Sequence, residues 1–259
     1  MRVAIFSDVH GNLTALEAVL TDIKKHTPDL TFFAGDLCLF GPRPAACVDL
    51  IRQEDMGALY GNKDEVLSNN PILSTFTEEA KQKRRQNIED IVDWTQVQLN
   101  ESQRAWLHNL PFQHRVSPTI DYRDDLFIVH ANPQDVHQHI YPPEDIQKRI
   151  YGEIKQADND PHLSHMLHDL ACGTLAFGHV HVPNIRHWRS LVLANISSVS
   201  LAQDGDRRAK YGLFTWNDGS WHIAHKFVEY DIDQELALLS EQRPPNWESI
   251  SRRLQSALP

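Results

Sequence analysis

Strands and helices are predicted to alternate through the first 60 residues of this chain. Apolar runs at residues 2–7, 30–34 and 56–60 read as strands, and the segments 12–26 and 44–54 between them read as helices. Such an alternation predicts a parallel sheet with helices packed on it. Because the carboxyl ends of parallel strands share one edge of a sheet, functional side chains are expected to gather at that edge.

Polar residues with metal-binding chemistry follow each of these three strands. The first strand is followed by Asp8 and His10, the second by Asp36 and the third by Asn62. In an extended segment, two-residue spacing directs Asp8 and His10 to the same face. Carboxylate, imidazole and amide groups are ligands of divalent metals. These strand ends therefore predict part of a metal site.

Later strand segments end in histidines. Residues 126–130 end in His130, and residues 174–177 lead into His179 and His181. Seven ligand-type residues at strand ends indicate one joint metal site better than seven unrelated polar positions. The candidate metal ligands are Asp8, His10, Asp36, Asn62, His130, His179 and His181.

Residues 1–259 are predicted to form a single domain. Two segments of this domain do not follow the pattern of strand ends. Residues 66–110 are polar and helical and predict an inserted helical cap. Trp94 and Trp106 are expected to pack this cap, although a substrate base stacking on one of them is an alternative. The tail at 231–259 is predicted to be helical.

The second half of the chain is expected to form a second sheet. Residues 143–157 and 161–170 are predicted helices, and strands follow within 183–228 without intervening helices. That run, broken by turns such as Asn217-Asp218-Gly219, predicts a sheet packed on the first one.

Charge and composition narrow the partners. The formal net charge of -10 argues against binding to long nucleic acid or to an anionic membrane, because phosphate polymers require clustered Lys and Arg. Because Met1-Arg2 leads directly into a predicted strand, we expect no signal peptide, and no apolar run is long enough to span a membrane. The three cysteines are scattered. A cytoplasmic location with reduced thiols is expected.

The motif set resembles that of the calcineurin-like metallophosphoesterases, over most of residues 1–200. The matching motifs are Asp8-Val-His10, Gly35-Asp36, Gly61-Asn62-x-Asp64, His130 and Gly178-His179-Val-His181. The resemblance implies an α/β fold of two packed mixed β-sheets flanked by helices, a four-layer sandwich that here carries the helical cap. It also implies that one metal ion is held by Asp8, His10, Asp36 and His181. The other is held by Asp36 as a bridge, Asn62, His130 and His179.

The same resemblance implies an activity. Two divalent transition metals, Mn or Fe in the first place and Zn, Co or Ni as alternatives, would activate a hydroxide that attacks phosphorus. The expected substrate is a small phosphate ester or phosphoanhydride of nucleotide type. Phe40-Gly41-Pro42-Arg43-Pro44 is similar to a segment of small bacterial members, some of which cleave dinucleoside polyphosphates. The alternatives are a general phosphodiesterase, a phosphomonoesterase or protein phosphatase, and a non-enzymatic scaffold on the same fold.

Further residues complete the expected site. Lys63 stands where many relatives carry a histidine that acts as an acid, and we expect it to serve mainly as a fixed positive charge on a phosphate. The alternative is that Lys63 points to solvent and pairs with Asp64 or Glu65. The candidate catalytic residues are Lys63, Asp36 and His130, and the candidate substrate contacts are Asn12, Asn62 and Arg207. Asn12 is also expected to cap the first helix.

Overall fold

The computed structural model describes residues 1–67 and 78–259, of which residues 78–87 are described by their backbone alone. Its strands are β1 (Arg2–Phe6), β2 (Leu30–Ala34), β3 (Gly57–Leu59), β4 (Gln113–Val116), β5 (Leu126–Val129), β6 (Thr174–Phe177), β7 (Asn184–Trp188), β8 (Leu191–Asn195), β9 (Ala209–Asn217) and β10 (Ser220–Val228). Its helices are α1 (Leu13–Lys25), α2 (Pro44–Gln53), α3 (Asn62–Leu67), α4 (Glu78–Gln98), α5 (Glu101–His108), α6 (Glu144–Tyr151), α7 (Pro161–Met166), α8 (Ile232–Gln242) and α9 (Trp247–Ser256).

The strands form two mixed five-stranded sheets. The first has the order β10-β9-β1-β2-β3, in which β1, β2 and β3 are parallel and β9 is antiparallel to β1. The second has the order β4-β5-β6-β8-β7, with β5, β6 and β8 parallel and both edge strands antiparallel. The expected fold class, two packed mixed sheets flanked by helices, is confirmed.

The prediction that the strands within 183–228 form one second sheet is wrong. Strands β7 and β8 do join the second sheet, but β9 and β10 return to the first sheet beside β1. Alternation within a strand shows which side chains share a face, yet it does not show which strand lies alongside. The predicted helix at 143–157 is also shorter, since Gly152 ends it in the left-handed conformation.

The main core lies between the two sheets. In β1, Val3 and Ile5 face the second sheet and meet apolar residues such as Ile128 and Ala194. The alternate residues of β1 face the opposite way, toward the helices. Because both faces of β1 are covered, the strand is apolar along most of its length.

The two predicted helical segments thicken the helical layer on the first sheet. Ile91 and Leu107 of the insertion, and Leu239 and Leu254 of the tail, are buried in the same cluster as α1 and α2. Trp106 packs against that cluster, as predicted, and Trp94 is half-buried. The start of the predicted cap falls partly on residues 68–77, which lie outside the described residues. Within the described part of the chain, no helix is both long and apolar enough to cross a membrane.

Candidate metal centre

Two groups of candidate ligands meet at the carboxyl ends of the central strands. In the first group, Asp8 Oδ1 lies 3.0 Å from His181 Nε2 and 3.7 Å from His10 Nε2. The two imidazole Nε2 atoms are 3.3 Å apart. All three residues are buried, and their ligand atoms lie within 4.8 Å of one another.

The second group surrounds His130. Its Nε2 lies 3.5 Å from Asp36 Oδ1, 3.1 Å from Asn62 Oδ1 and 3.1 Å from His179 Nδ1. Asp8, Asp36 and His130 form a second buried triad of ligand atoms within 4.8 Å. The chain thus brings all seven candidate ligands to one place.

Asp36 lies between the two groups. Its Oδ2 is 3.9 Å from His10 Nε2 in the first group, while its Oδ1 is 3.5 Å from His130 Nε2 in the second. The backbone N–H of Lys63 donates to Oδ1 at 2.7 Å, which fixes the carboxylate plane. The buried carboxylate of Asp64 accepts backbone N–H groups of Asp36 and Gly61, so both ligand-bearing loops are held together.

Backbone carbonyls orient three of the imidazole rings. His10 Nδ1 lies 3.2 Å from Leu39 O, His130 Nδ1 lies 2.9 Å from Ala34 O, and His181 Nδ1 lies 2.7 Å from Leu201 O. A carbonyl oxygen can only accept, so each Nδ1 carries a proton, and in the neutral ring each Nε2 keeps a lone pair. These lone pairs face the centre, as metal-ligating histidines require.

Most candidate ligands hold an unusual backbone conformation. The φ angles are 58° at Asp8, 50° at His10, 62° at Asp36, 68° at His179 and 56° at His181. The left-handed region costs a residue other than glycine on the order of 1–3 kcal/mol, and such strain clusters at functional sites. The reasoning that an extended segment brings Asp8 and His10 to one face is therefore wrong. They lie in a turn after β1, and the turn makes their side chains converge.

The centre fits divalent metal ions by its donor chemistry. Asp8 Oδ2 accepts from Ser7 Oγ at 2.6 Å and from the backbone N–H of His179 at 3.0 Å. Its Oδ1 is buried without a hydrogen-bond partner among the described residues, and it faces imidazole nitrogens. A buried carboxylate oxygen with ring nitrogens beside it is the mixed oxygen and nitrogen set that Mn, Fe and Zn favour.

Protonation states at Asp8, His10 and His179 suit metal binding, whereas the pKa of His130 is raised because the carboxylates of Asp36 and Asp8 outweigh its burial. Burial alone would raise the pKa of Asp8, but the neighbouring imidazoles of His181 and His10 lower it well below the usual range. Burial lowers the pKa of His10, and burial together with His130 lowers the pKa of His179 well below its usual value. Ionised carboxylate and neutral imidazole are the forms that bind metals.

Lys63 starts beside this centre. When Asn62 Oδ1 faces His130, the amide nitrogen of Asn62 faces Lys63 Nζ. When the amide group is rotated by 180°, its oxygen instead accepts a hydrogen bond from Lys63 Nζ at 3.0 Å. Glu65, one of the two partners considered for Lys63, has its Oε2 2.6 Å from His137 Nε2. The ammonium group thus lies next to a candidate ligand, and its role remains a prediction.

The two other predicted substrate contacts lie differently. Asn12 caps α1 as predicted, since its Oδ1 accepts from the backbone N–H of Ala15 at 2.9 Å. Its Nδ2 donates to Ser200 Oγ at 3.1 Å, so both ends of this buried amide are used within the protein. Arg207 is exposed on the loop between β8 and β9, near Tyr230. A substrate contact at Arg207 remains a prediction.

One residue at the centre was missed from the sequence. The ring centroid of His139 lies 4.4 Å from that of His179. Desolvation by its surroundings and the positive charge of Lys63 lower the pKa of His139 to about 4, although part of the residue is exposed. His139 lies in the loop after β5 and follows no strand directly, so a search of strand ends passes over it. The sequence does contain one indication of this site, because the ring of Tyr141 follows that of His139 by two positions.

Comparisons with known proteins agree with this geometry. Residues 1–219 match the family model of the calcineurin-like phosphoesterase superfamily domain. The chain is similar to the uncharacterised protein MJ0912 of Methanocaldococcus jannaschii, with 26% identity over 247 residues that cover 95% of this chain and 94% of that protein.

Solved structures share the fold. A metallophosphoesterase from Sphaerobacter thermophilus is 26% identical, with a TM-score of 0.71 over 100% of this chain and 99% of that chain. The hypothetical protein PH1004 from Pyrococcus horikoshii OT3 has a TM-score of 0.76 at 14% identity, over 98% of this chain and 97% of that chain, and it shows the fold alone.

Proposed function

Because the chain belongs to the calcineurin-like phosphoesterase superfamily, whose members depend on metals, we propose that it is a dinuclear metal-dependent phosphoesterase. The position of Asp36 carries the proposal. Its two carboxylate oxygens face two separate groups of ligands, the arrangement that a bridge between two ions needs. The proposed substrate is a small phosphate ester or phosphoanhydride of nucleotide type, met in the cytoplasm.

Each proposed ion has its own set of ligands. The first would be held by Asp8, His10, Asp36 and His181, and the second by Asp36, Asn62, His130 and His179. When bound, the two ions would supply positive charge for the phosphate oxygens and lower the pKa of an attacking water. The donor set favours Mn or Fe, with Zn, Co and Ni as alternatives.

The residues of the chain have distinct tasks in this proposal. The carbonyls behind His10, His130 and His181 hold the ring protons at Nδ1, so that the rings do not turn during turnover. Asp36 keeps its orientation through the N–H of Lys63. The Lys63 ammonium group adds positive charge beside the bound phosphate.

The test combines metal content with turnover. Protein from Mn²⁺-supplemented medium is expected to contain about two metal ions per chain and to hydrolyse some of a panel of aryl phosphates, phosphodiesters and dinucleoside polyphosphates. Asp36→Asn is expected to remain folded, to lose metal and to lower kcat by roughly 1000-fold or more, about 4 kcal/mol. The exposed Asp93→Asn on α4 is the matched control and should change neither quantity.

Two outcomes would count against the proposal. Asp36→Asn turnover within about tenfold of wild type would remove Asp36 from a bridging position. Metal content near zero, with no hydrolysis of any panel member after addition of divalent ions, would instead favour the scaffold alternative.

A further inference from the structure

A row of aromatic rings leads outward from the candidate metal centre. The His139 ring lies 4.4 Å from that of His179 and 5.1 Å from that of Tyr141, to which it is nearly parallel at 11°. Tyr151 meets Tyr141 edge-on, with centroids 6.0 Å apart. His139, Tyr141 and Tyr151 are called the aromatic shelf below.

The backbone beneath the shelf is held at several points. The N–H of Tyr141 donates to Gln156 Oε1 at 3.0 Å, and its carbonyl accepts from Arg186 Nη2 at 3.0 Å. Buried Gln147 donates to the carbonyls of Pro142 and Gln156 at 2.7 Å and 2.6 Å. A shelf fixed in this way needs little ordering when a ligand arrives, which favours binding.

Exposure and charge distinguish the shelf from ordinary core packing. His139 is exposed, and Tyr141, Tyr151 and the neighbouring His179 are half-buried. Lys155 Nζ lies 5.1 Å from the centroid of Tyr151 and 3.6 Å from Glu153 Oε1, so a lysine paired with a carboxylate flanks the rings. By contrast, Trp106, considered from the sequence as a site for a base, packs against the core.

We propose that the aromatic shelf binds the base of a nucleoside phosphate whose phosphate group lies at the metal centre. This inference rests on the proposed function. Aromatic side chains stack with any base because every base has a π face, and nearby cations favour the attached phosphates. The shelf begins beside the ring of His179, so the proposal places the base and the phosphate of one nucleotide on neighbouring groups.

The experiment compares two ligands that differ only in the base. Non-hydrolysable phosphonate analogues of AMP and of ribose 5-phosphate are titrated calorimetrically into Mn²⁺-loaded protein. In the wild type, the base is expected to strengthen binding by about 5-fold to 100-fold. Tyr141→Ala and His139→Ala should remove most of this ratio, whereas His139→Phe, which keeps a flat ring, should retain it. Tyr122→Ala, at an exposed tyrosine on the connection between β4 and β5, is the matched control and should leave it unchanged.

The outcomes separate this inference from the proposed function. Equal affinities for the two analogues in a wild-type protein that hydrolyses phosphate esters would overturn the shelf alone. A His139→Ala variant that weakens both analogues equally and loses metal would show that His139 only supports His179. A third titration, with phenylphosphonate, tests whether the shelf prefers a nucleobase to a simple aryl group. Phenylphosphonate binding as tight as that of the AMP analogue would overturn the assignment to a base. Failure to bind either analogue, together with no hydrolysis of any substrate, would overturn both proposals.

Discussion

Strained backbone at single residues is maintained by contacts between loops. Asp8 and His10, both left-handed, donate their backbone N–H groups to Gly35 O at 2.9 Å and Asp36 O at 3.0 Å. The sequence predicts the identities of the ligands, because residue types and order carry that information. It does not predict their conformation, since the hydrogen bonds that maintain the strain come from a neighbouring loop.

Gly178 shows how little space surrounds Asp8. A Cβ atom at this position would lie 2.4 Å from Asp8 Oδ2 and 2.4 Å from Ser7 Oγ. Gly178→Ala is expected to displace the carboxylate, to cost about 1–3 kcal/mol of unfolding free energy and to reduce metal content. Urea denaturation and elemental analysis measure both effects.

Gly152→Ala is the matched control for this prediction. Gly152 also has a positive φ of 74°, but a Cβ atom there would meet nothing within 4 Å among the described residues. The substitution should cost roughly 1–2 kcal/mol through backbone strain alone and leave metal content unchanged. Equal metal content in both variants would contradict the packing argument at Gly178.

Lys63 offers a separate test, because its backbone and its side chain act independently. The backbone N–H that orients Asp36 is retained in any substitution except proline. If the ammonium group is a fixed charge and a poor acid, the wild type should favour aryl phosphates and phosphoanhydrides over alkyl monoesters. Lys63→His should narrow that preference, and Lys63→Met should slow all substrates. An unchanged rate ratio in Lys63→His, with equal use of alkyl esters by the wild type, would refute this role.

At the scale of elements, the loop between β8 and β9 runs from the second sheet to the first and contacts the metal centre on the way. The segment between β8 and β9 donates from the N–H of Val199 to Ser7 O at 2.9 Å and from the N–H of Ser200 to Asp8 O at 3.0 Å. It also supplies the Leu201 carbonyl that orients His181. The geometry of two candidate ligands therefore depends on the order of this loop.

A buried lysine holds the far end of that loop. Lys210 is fully buried, and its Nζ donates to Asp204 Oδ1 at 3.0 Å, Asp206 O at 2.6 Å and Arg208 O at 3.1 Å. Lys210→Met leaves these acceptors without their cation and should cost about 3–5 kcal/mol of unfolding free energy. Metal affinity should also fall, because the loop that holds His181 loosens.

Two variants control the Lys210 prediction. The exposed Lys25→Met should be neutral, since surface ion pairs contribute little. Lys210→Met combined with Asp204→Asn should recover part of the lost stability, because the carboxylate no longer lacks a counter-charge. Denaturant midpoints equal to wild type in Lys210→Met would show that the loop is held by other contacts.

Local sequence patterns predict where strands and helices begin and end, but they do not predict which strands pair. The strands and helices of the first 60 residues were predicted within about two residues, since short connections and apolar spacing define them locally. The placement of β9 and β10 beside β1 was missed, because strand pairing depends on packing over the whole chain.

For the molecule as a whole, the proposed ions should stabilise the folded state. The buried carboxylates of Asp8 and Asp36 lie close together, and cations between them would offset their repulsion. A ligand present at 100 times its Kd stabilises by about 2.7 kcal/mol, so removal of two ions by a chelator should lower Tm by roughly 10 °C or more. Thermal unfolding with and without chelator measures the shift. The chelator should lower the Tm of Asp36→Asn by less than that of the wild type. If the wild type has the same Tm with and without chelator, the protein does not bind stabilising metal ions.

The layout of the first sheet also has a consequence for the order in which this protein forms. Strand β1 leaves the ribosome before its antiparallel partner β9, which begins at Ala209, about 200 residues later. At translation rates of about 5–20 residues per second, β1 waits on the order of 10–40 s for that partner. His181 and the loop that orients it are also made late. Asp8 and His10 are therefore synthesised well before His181, and their final arrangement has to wait for it.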